Sequence, residues 1–226
     1  MSLTLLRHPL ARLRSARLRL LPWLGWALLA VGGAVATRLQ GGSSHAVDHA
    51  VRGTFGPLIL PLLALACVGL LCPEGTLDEA ARPLVLLGAP RRRAALTHGL
   101  AVITLAAASA GVLGALIVAV AHGPTDAPLL VDLPSTAGVA ALGAAGYASY
   151  FMMGSAFLGR AGGGVLFVID FLAGGFGAGA LLTPRGHLRA LMGGPLAAQL
   201  SPRVSSVALV VMAVVFLALA SSRRAR

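Results

Sequence analysis

The sequence predicts an all-α membrane protein with six transmembrane helices and both termini in the cytoplasm. Three observations predict this class. Of the 226 residues, 57% are hydrophobic and only 11% are charged, whereas a soluble domain of this size has about 25% charged residues. The apolar residues are collected in segments close to the roughly 20 residues that cross a bilayer. The arginines are shared unevenly between the connections that join these segments, as orientation in a membrane requires.

The predicted spans follow the apolar segments in chain order. They cover residues 22–37, 54–72, 97–121, 135–158, 163–182 and 204–220. The first is short, and we expect it to include part of 18–21. Six spans with ordinary loops occupy nearly the whole chain, so we predict a single membrane domain over residues 22–226. Cys67 and Cys72 fall within or beside the second span, in a spacing that predicts no metal or redox motif.

The positive charge is interpreted as a topology signal. The net charge is +11, and all 18 basic residues are arginines. With the N-terminus in the cytoplasm, 13 arginines lie on inside segments and 5 on outside segments, which favours N-in, C-in. The five on the outside are Arg38, Arg52, Arg185, Arg189 and Arg203. Aromatic residues make up only 5% of the chain, which disfavours a nucleic-acid partner that binds by base stacking. Since the chain has no lysine, it cannot form a G-x-x-x-x-G-K-[ST] phosphate loop.

The N-terminal residues 1–21 are predicted to form a basic helix in the cytoplasmic membrane interface. Pro9 can open a helix, and Leu10, Leu13, Ala16 and Leu20 share one face beside flanking arginines. Such a helix would place its arginines at lipid phosphates. The alternative is a disordered basic tail that serves only topology. The Arg-rich start and the following apolar run are also typical of a cleaved signal peptide, but we expect the segment to be retained.

The connection over residues 73–96 is the longest one predicted on the inside. Acidic Glu74, Asp78 and Glu79 precede an apolar run, and Gly88 and Pro90 follow it. Acidic residues favour a helix N-terminus and proline ends a helix, so we predict a short helix that cannot span the membrane. It would offer a charged and apolar surface to a cytoplasmic partner. The alternative is a plain surface loop.

At this connection the chain resembles the ABC type-2 exporter permeases. The resemblance lies in Glu74-Gly75-Thr76-Leu77 and in Leu86-Leu87-Gly88-Ala89-Pro90-Arg91-Arg92. It implies a coupling helix that docks on a cytoplasmic ABC ATPase subunit, which would carry the ATP and Mg²⁺. The residues assigned to this contact by resemblance are Glu74, Gly75, Thr76, Leu77, Pro90, Arg91 and Arg92. Pro73 departs from the family, which more often continues a charged helix there.

The resemblance covers most of the chain. Residues 183–203, with Gly193-Gly194-Pro195 and Leu200-Ser201-Pro202, resemble the re-entrant outer helices between the last two spans of that family. Membership implies a permease in the bacterial inner membrane that pairs with a second copy or a paralogue. The similar haem-exporter membrane subunit of cytochrome c maturation is an alternative within the family. A non-transporting membrane anchor is an alternative outside it.

Isolated polar residues suggest further hypotheses. Asp170 in the fifth span is a candidate pathway residue, because a carboxylate in hydrocarbon faces a bundle interior or water. The alternative is a pairing with Arg160 or with a backbone donor near the cytoplasmic side. Ser155 permits an intramembrane serine hydrolase as the least favoured function, and we predict no enzyme activity and no bound cofactor. His45 and His49 are too few to predict a metal site.

Small residues predict close helix packing. The glycine pairs concerned are Gly143 with Gly146, and the G-x-x-x-G pair Gly175 with Gly179.

Overall fold

The computed structural model describes residues 9, 11–12, 17–39, 46–123, 126, 128–175, 177–193 and 200–223. These residues form helices joined by turns, and none of them lies in a β-strand. In chain order the helices are α1 (Leu20–Leu39), α2 (Val47–Leu71), α3 (Leu77–Leu86), α4 (Arg91–Ala121), α5 (Leu129–Leu158), α6 (Gly162–Ala173), α7 (Gly179–Leu182), α8 (Pro184–Leu191) and α9 (Pro202–Ser222). Helices α1, α2, α4, α5 and α9 are long and apolar enough to cross a membrane. The all-helical class is therefore confirmed, and these five helices indicate an integral membrane protein.

The long helices extend beyond the apolar segments that predict them. Helix α4 begins at Arg91 rather than near Thr97, with Pro90 as its N-cap residue. Helix α2 begins before Thr54, and its segment Ala50–Ile59 is π-helical around Pro57. Hydropathy marks the part of a helix that can lie in lipid, whereas the helix itself begins where the backbone permits. The five helices are found, and most of their ends agree with the predicted spans within two residues. Only the starts predicted at residues 54, 97 and 135 lie about one to two turns inside the helices.

The fifth predicted span differs from the structure. Helix α6 has 12 residues, which at about 1.5 Å per residue is too short for a hydrocarbon core of about 30 Å. It ends at Ala173, and the chain turns before the short helix α7. The prediction that Gly175 and Gly179 form a helix-packing pair is wrong, because the two do not share a helix. A Cβ on Gly179 would lie 2.2 Å from the Ala173 carbonyl oxygen, so this glycine allows a tight turn instead.

Helix α5 lies at the centre and packs against α2, α4, α6 and α9. Its contacts depend on small residues. A Cβ on Gly143 would meet the Leu188 side chain at 2.6 Å, and one on Gly146 would meet Leu209 at 3.0 Å. The prediction of close packing at these two glycines is confirmed, since membrane helices gain stability mainly from such close contacts.

The outer faces of the peripheral helices are apolar. Exposed side chains include Leu28 and Leu29 on α1 and Val207, Val211 and Val214 on α9. Such faces fit a lipid environment, where exposed apolar side chains cost nothing.

Few residues of the predicted N-terminal interfacial helix are described. Pro9, Ala11 and Arg12 are helical, and Arg17–Arg19 form a 3₁₀ turn that leads into α1. Most of the predicted helix over residues 1–21 lies outside the described residues.

The junction of α5 with α6 supports a first prediction. A Cβ on Gly162 would lie 2.0 Å from the carbonyl oxygen of Gly154, which is backbone and cannot rotate away. We expect Gly162→Ala to lower the stability of the folded chain by about 1–3 kcal/mol through overpacking. Thermal unfolding of the purified protein in detergent measures this effect. The matched control is Gly164→Ala on the same helix, where an added Cβ meets nothing within 4 Å. An equal effect of both substitutions would contradict the close approach as the cause.

Candidate functional site

The short helix α3 has local signals at both ends. The Thr76 side chain accepts a hydrogen bond from the backbone N–H of Glu79 at 3.3 Å, and its hydroxyl donates to Glu79 Oε2 at 2.8 Å. Thr76 is thus an N-cap residue that satisfies a backbone donor of the first turn. Gly88 follows the helix with a φ of +88°, a conformation that glycine adopts without strain. A short helix is therefore present in this connection, and it ends at Leu86, just before Gly88 and Pro90.

Helix α3 has a buried face and an exposed face. The residues buried against α4, α5 and α9 are Leu77, Ala80, Ala81 and Leu84. The opposite side and the turn that follows are exposed, with Leu86 at 79% and Leu87 at 85% of their full accessibility. We define the loop surface as the exposed residues Arg82, Leu86, Leu87, Pro90, Arg92 and Arg93. The loop surface therefore has an apolar centre between cationic side chains.

The seven residues predicted to contact an ATPase lie in two settings. Those with partners inside the chain are Glu74, Gly75, Thr76, Leu77 and Arg91; those on the loop surface are Pro90 and Arg92. Leu77 is only 1% exposed and packs close to Gly99 of α4. Gly75 packs against the Arg160 side chain. The contact itself stays a prediction. Of the seven residues only Leu77 is buried, whereas Glu74 is exposed and Gly75, Thr76 and Arg91 are partly exposed.

Arg91 joins three elements. Its Nε donates to Asp78 Oδ1 at 2.5 Å, and its Nη2 donates to the Arg223 carbonyl oxygen at 2.6 Å. The ion pair ties α3 to the start of α4, and the second bond ties α4 to the end of α9. Arg91 therefore connects α3 to the ends of two long helices.

Glu74 joins the N-terminal segment to the same end of the bundle. Arg12 Nη1 donates to Glu74 Oε2 at 2.7 Å and to the Leu71 carbonyl oxygen at 3.3 Å. Partial burial raises the pKa of the Glu74 carboxyl, but the hydrogen bond and the charge of Arg12 outweigh burial, so the pKa lies below its ordinary value of 4.5. Since Arg223 also lies here, both termini of the described chain lie at one end of the bundle.

The lowered pKa gives a second prediction. A carboxyl whose folded-state pKa is depressed contributes stability above its ordinary pKa, and this contribution is lost as the pH falls through the lower folded-state value. We expect acidification to release Arg12 from Glu74 only after the pH has fallen below the ordinary carboxyl pKa, through the lower folded-state pKa. The proximity of labels on the N-terminal segment and on α3 measures this release. In Glu74→Gln the same labels should be separated already at neutral pH. A wild-type signal that does not change with acid would contradict the ion pair.

Asp170 is fully buried and has three hydrogen-bond donors. The backbone N–H of Arg185 donates to Oδ1 at 3.1 Å, and Arg185 Nε and the Tyr147 hydroxyl donate to Oδ2 at 3.0 and 3.1 Å. The predicted alternative of a pairing with Arg160 is wrong, because Arg160 is exposed at the other end of α6 and donates to the Pro73 carbonyl oxygen. A backbone N–H does donate to Asp170, but it belongs to Arg185 of α8 and not to the side of α6 on which Arg160 lies, where the sequence predicts it. A buried carboxylate needs such partners to remain charged.

Arg185 completes this buried cluster. It is 6% exposed, and its guanidinium carbon lies 4.9 Å from the centre of the Phe171 ring. Its Nη2 is buried and has no hydrogen-bond partner among the residues that the structure describes. An unsatisfied buried donor is costly, so this guanidinium has capacity to bind a further acceptor.

A cavity of about 470 Å³ adjoins the cluster. Its lining residues are Arg52, Gly56, Pro57, Tyr147, Phe171, Arg185, Leu188, Arg189, Met192 and Gly193. We call it the arginine cavity. It lies at the N-terminal end of α2, which is the end opposite the α2–α3 turn.

A second cavity lies at the other end of α2. It has about 420 Å³ and is lined by residues that include Val68, Cys72, Ser155 and Arg160. Both cavities lie along α2, α5 and α6. On α5 and α6 the residues Phe151 and Phe167 lie between them, with ring centroids 6.5 Å apart. Aromatic side chains thus separate two cavities that follow the same three helices.

Sequence reasoning missed the arginines of the arginine cavity. It places Arg52, Arg185 and Arg189 in outside connections, where each is explained by topology alone. The available signal is the i, i+4 spacing of Arg185 and Arg189, which puts them on one face of α8.

Among the described residues, no three or more His, Cys, Asp or Glu side chains lie close enough together to bind a metal ion. Of the two histidines considered as metal ligands, His49 is described and is next in sequence to Asp48, which pairs with Arg52. His45 lies outside the described residues.

No protein-family model, no curated protein and no solved structure matches the chain. The class that fold and composition define is an integral membrane protein with long apolar helices. Any more specific function depends on the surfaces and cavities described above.

Proposed function

We propose that the chain is the membrane permease subunit of an ATP-driven ABC exporter in the bacterial inner membrane. It would form the substrate path together with a second copy or a paralogue. ATP and Mg²⁺ would be bound by a separate cytoplasmic ATPase that docks on the loop surface. The observation that carries the proposal is the exposed Leu86–Leu87 pair between arginines, on a short helix whose other face is buried in the bundle.

The contacts below the loop surface support coupling. Because Arg91 ties α3 to α4 and to the end of α9, a push on the loop surface would move two proposed spans. Transport needs such a mechanical connection. ATP hydrolysis on a partner can change the conformation of the bundle only if the partner contacts the chain differently in its two conformations. The two cavities along α2, α5 and α6 are compatible with alternating access from the two sides.

The proposed topology has both termini in the cytoplasm and six crossings. Arg12 and Arg223 lie at the same end of the bundle as the loop surface, and the inside segments carry most arginines, as the positive-inside rule requires. Helix α6 would enter from that end, and the outer elements α7 and α8 would complete the fifth crossing.

A reconstituted complex tests this function. The chain is co-expressed with a soluble ABC ATPase from the same genome, and the purified complex is placed in lipid vesicles. We expect co-purification, two permease copies or paralogues per complex, and ATP hydrolysis that rises when the ATPase is bound to the chain. A membrane anchor would bind the ATPase without ATP-dependent flux of the material that co-purifies. Failure of the ATPase to bind at all would contradict both the permease and the anchor.

A further inference from the structure

We propose that the arginine cavity binds an oxyanion, such as a phosphate group, carried by an amphipathic molecule. The cavity joins three arginines to an apolar wall, and the sequence-based hypotheses for this chain assign it no role. The inference goes beyond the transport function, because binding to the isolated chain needs neither the ATPase nor ATP.

The charges around the cavity leave a positive excess. Arg185 is paired with Asp170 at 3.0 Å, and Arg52 is paired with Asp48 at 3.1 Å. Arg189 lines the cavity and has no acidic partner within 4 Å among the described residues. Asp132 lies in the wall of a separate cavity of about 250 Å³ that shares Arg52. A guest with one negative charge would balance the excess.

The geometry of Arg185 indicates the chemical class of the guest. The pairing of its Nε with Asp170 fixes the plane of the guanidinium, and its Nη2 is buried without a partner among the described residues. A guanidinium held in place binds oxyanions through directed, charge-assisted hydrogen bonds. Because this donor is buried without a partner among the described residues, a hydrogen bond to a guest would stabilise the complex more than the same bond would at an open surface, where water already satisfies the donor.

The apolar wall indicates that the anion is part of an amphipathic molecule. Phe171 lines the cavity and is also 53% exposed on the outer face of α6. Its neighbours Val168 and Leu172 are exposed as well, and in a bilayer this face would contact lipid chains. A head group could therefore occupy the cavity while its chains lie along α6.

The test uses the purified full-length chain in a nonionic detergent. The probe is dihexanoyl phosphatidylglycerol, and its binding is followed by thermophoresis of the labelled chain. Dihexanoylglycerol has the same acyl chains without phosphate, and glycerol 1-phosphate has the phosphate without acyl chains. We expect binding of the phospholipid, with little or none of dihexanoylglycerol.

Variants connect this binding to the cavity. We expect Arg189→Gln to weaken phospholipid binding about tenfold, as the loss of one charge-assisted contact predicts, and Arg189→Lys to restore part of it. The matched control is Arg203→Gln, which removes an exposed arginine outside the cavity and should leave the affinity unchanged. Arg189 is the chosen position because it does not hold Asp170, so the variant should fold.

The outcomes separate the sources of the anion. Preference for the phospholipid over glycerol 1-phosphate supports an amphipathic guest. Equally tight, Arg189-dependent binding of glycerol 1-phosphate supports the oxyanion site and assigns it to a soluble anion. Unchanged binding in Arg189→Gln, or equal binding of dihexanoylglycerol, would overturn the proposal.

Discussion

Replacement of Asp170 with Leu is expected to lower the stability of the folded chain by about 3–5 kcal/mol, the cost of removing one partner from a buried ion pair. The cause is Arg185, which is 6% exposed and would lose both side-chain and backbone contacts to the carboxylate. The free energy of unfolding, measured by denaturant titration of the detergent-solubilised protein, gives the effect.

A double-mutant cycle isolates the pair from the packing. Asp170→Leu combined with Arg185→Leu removes both charges, and apolar replacement of a whole buried pair is often close to neutral. We therefore expect the double variant to be more stable than Asp170→Leu alone. Tyr147→Phe serves as the smaller control, since it removes one hydrogen bond to the carboxylate and should cost about 1 kcal/mol. Additive losses in the cycle would contradict coupling between the two residues.

The same variants decide between two roles of Asp170. Both of its oxygens are occupied by donors within the chain, which favours a structural role over direct contact with a transported molecule. If the role is structural, the folded double variant should retain flux in the reconstituted complex. If Asp170 lies in the pathway, flux should be lost although the protein is folded.

Local signals explain which parts of the fold can be predicted from sequence. Helix α3 is predictable because Thr76, Gly88 and Pro90 act on their own neighbourhood, through a cap, a left-handed turn and a missing backbone donor. The five long helices are predictable because lipid requires continuous apolar segments.

The prediction of a continuous fifth span over residues 163–182 fails because of tertiary contacts. The apolar composition of this segment continues past Ala173, but the chain turns there. The turn brings Gly174 so close to its neighbours that a Cβ at this position would lie 2.5 Å from both the Asp170 carbonyl oxygen and Thr183 Oγ1. Only glycine fits this close approach. The same turn brings Arg185 back to Asp170, 15 positions away in the chain. Composition identifies Asp170 as unusual, but no local pattern identifies its partner. The arginine cavity is missed for the same reason, since its residues come from separate helices.

The loop surface provides the second large expected effect. If the proposed ATPase docks on the loop surface, Leu86→Asp combined with Leu87→Asp should weaken its binding at least about thirtyfold, because charges would stand where an apolar contact is expected to be buried. The stability of the chain should change little, since both side chains are almost fully exposed. Titration of the ATPase onto the chain in lipid nanodiscs measures the affinity. Leu130→Asp is the matched control, at a leucine 90% exposed in the first turn of α5, at the other end of the bundle.

Variants of Arg91, Arg92 and Arg93 allow docking of the ATPase to be tested separately from coupling to transport. Arg92 and Arg93 are exposed, so Arg92→Glu with Arg93→Glu should weaken docking and make the remaining affinity less sensitive to salt. Arg91 is partly exposed, and its guanidinium is engaged by Asp78 and by the Arg223 carbonyl oxygen. Arg91→Gln should therefore leave the affinity for the ATPase within a few-fold of the wild type. ATP-driven flux should fall at least about tenfold, because α3 is no longer tied to α4 and α9. If Arg91→Gln lowers affinity as strongly as the Arg92 and Arg93 variant, Arg91 contacts the ATPase itself and the proposed transmission through α3 is wrong.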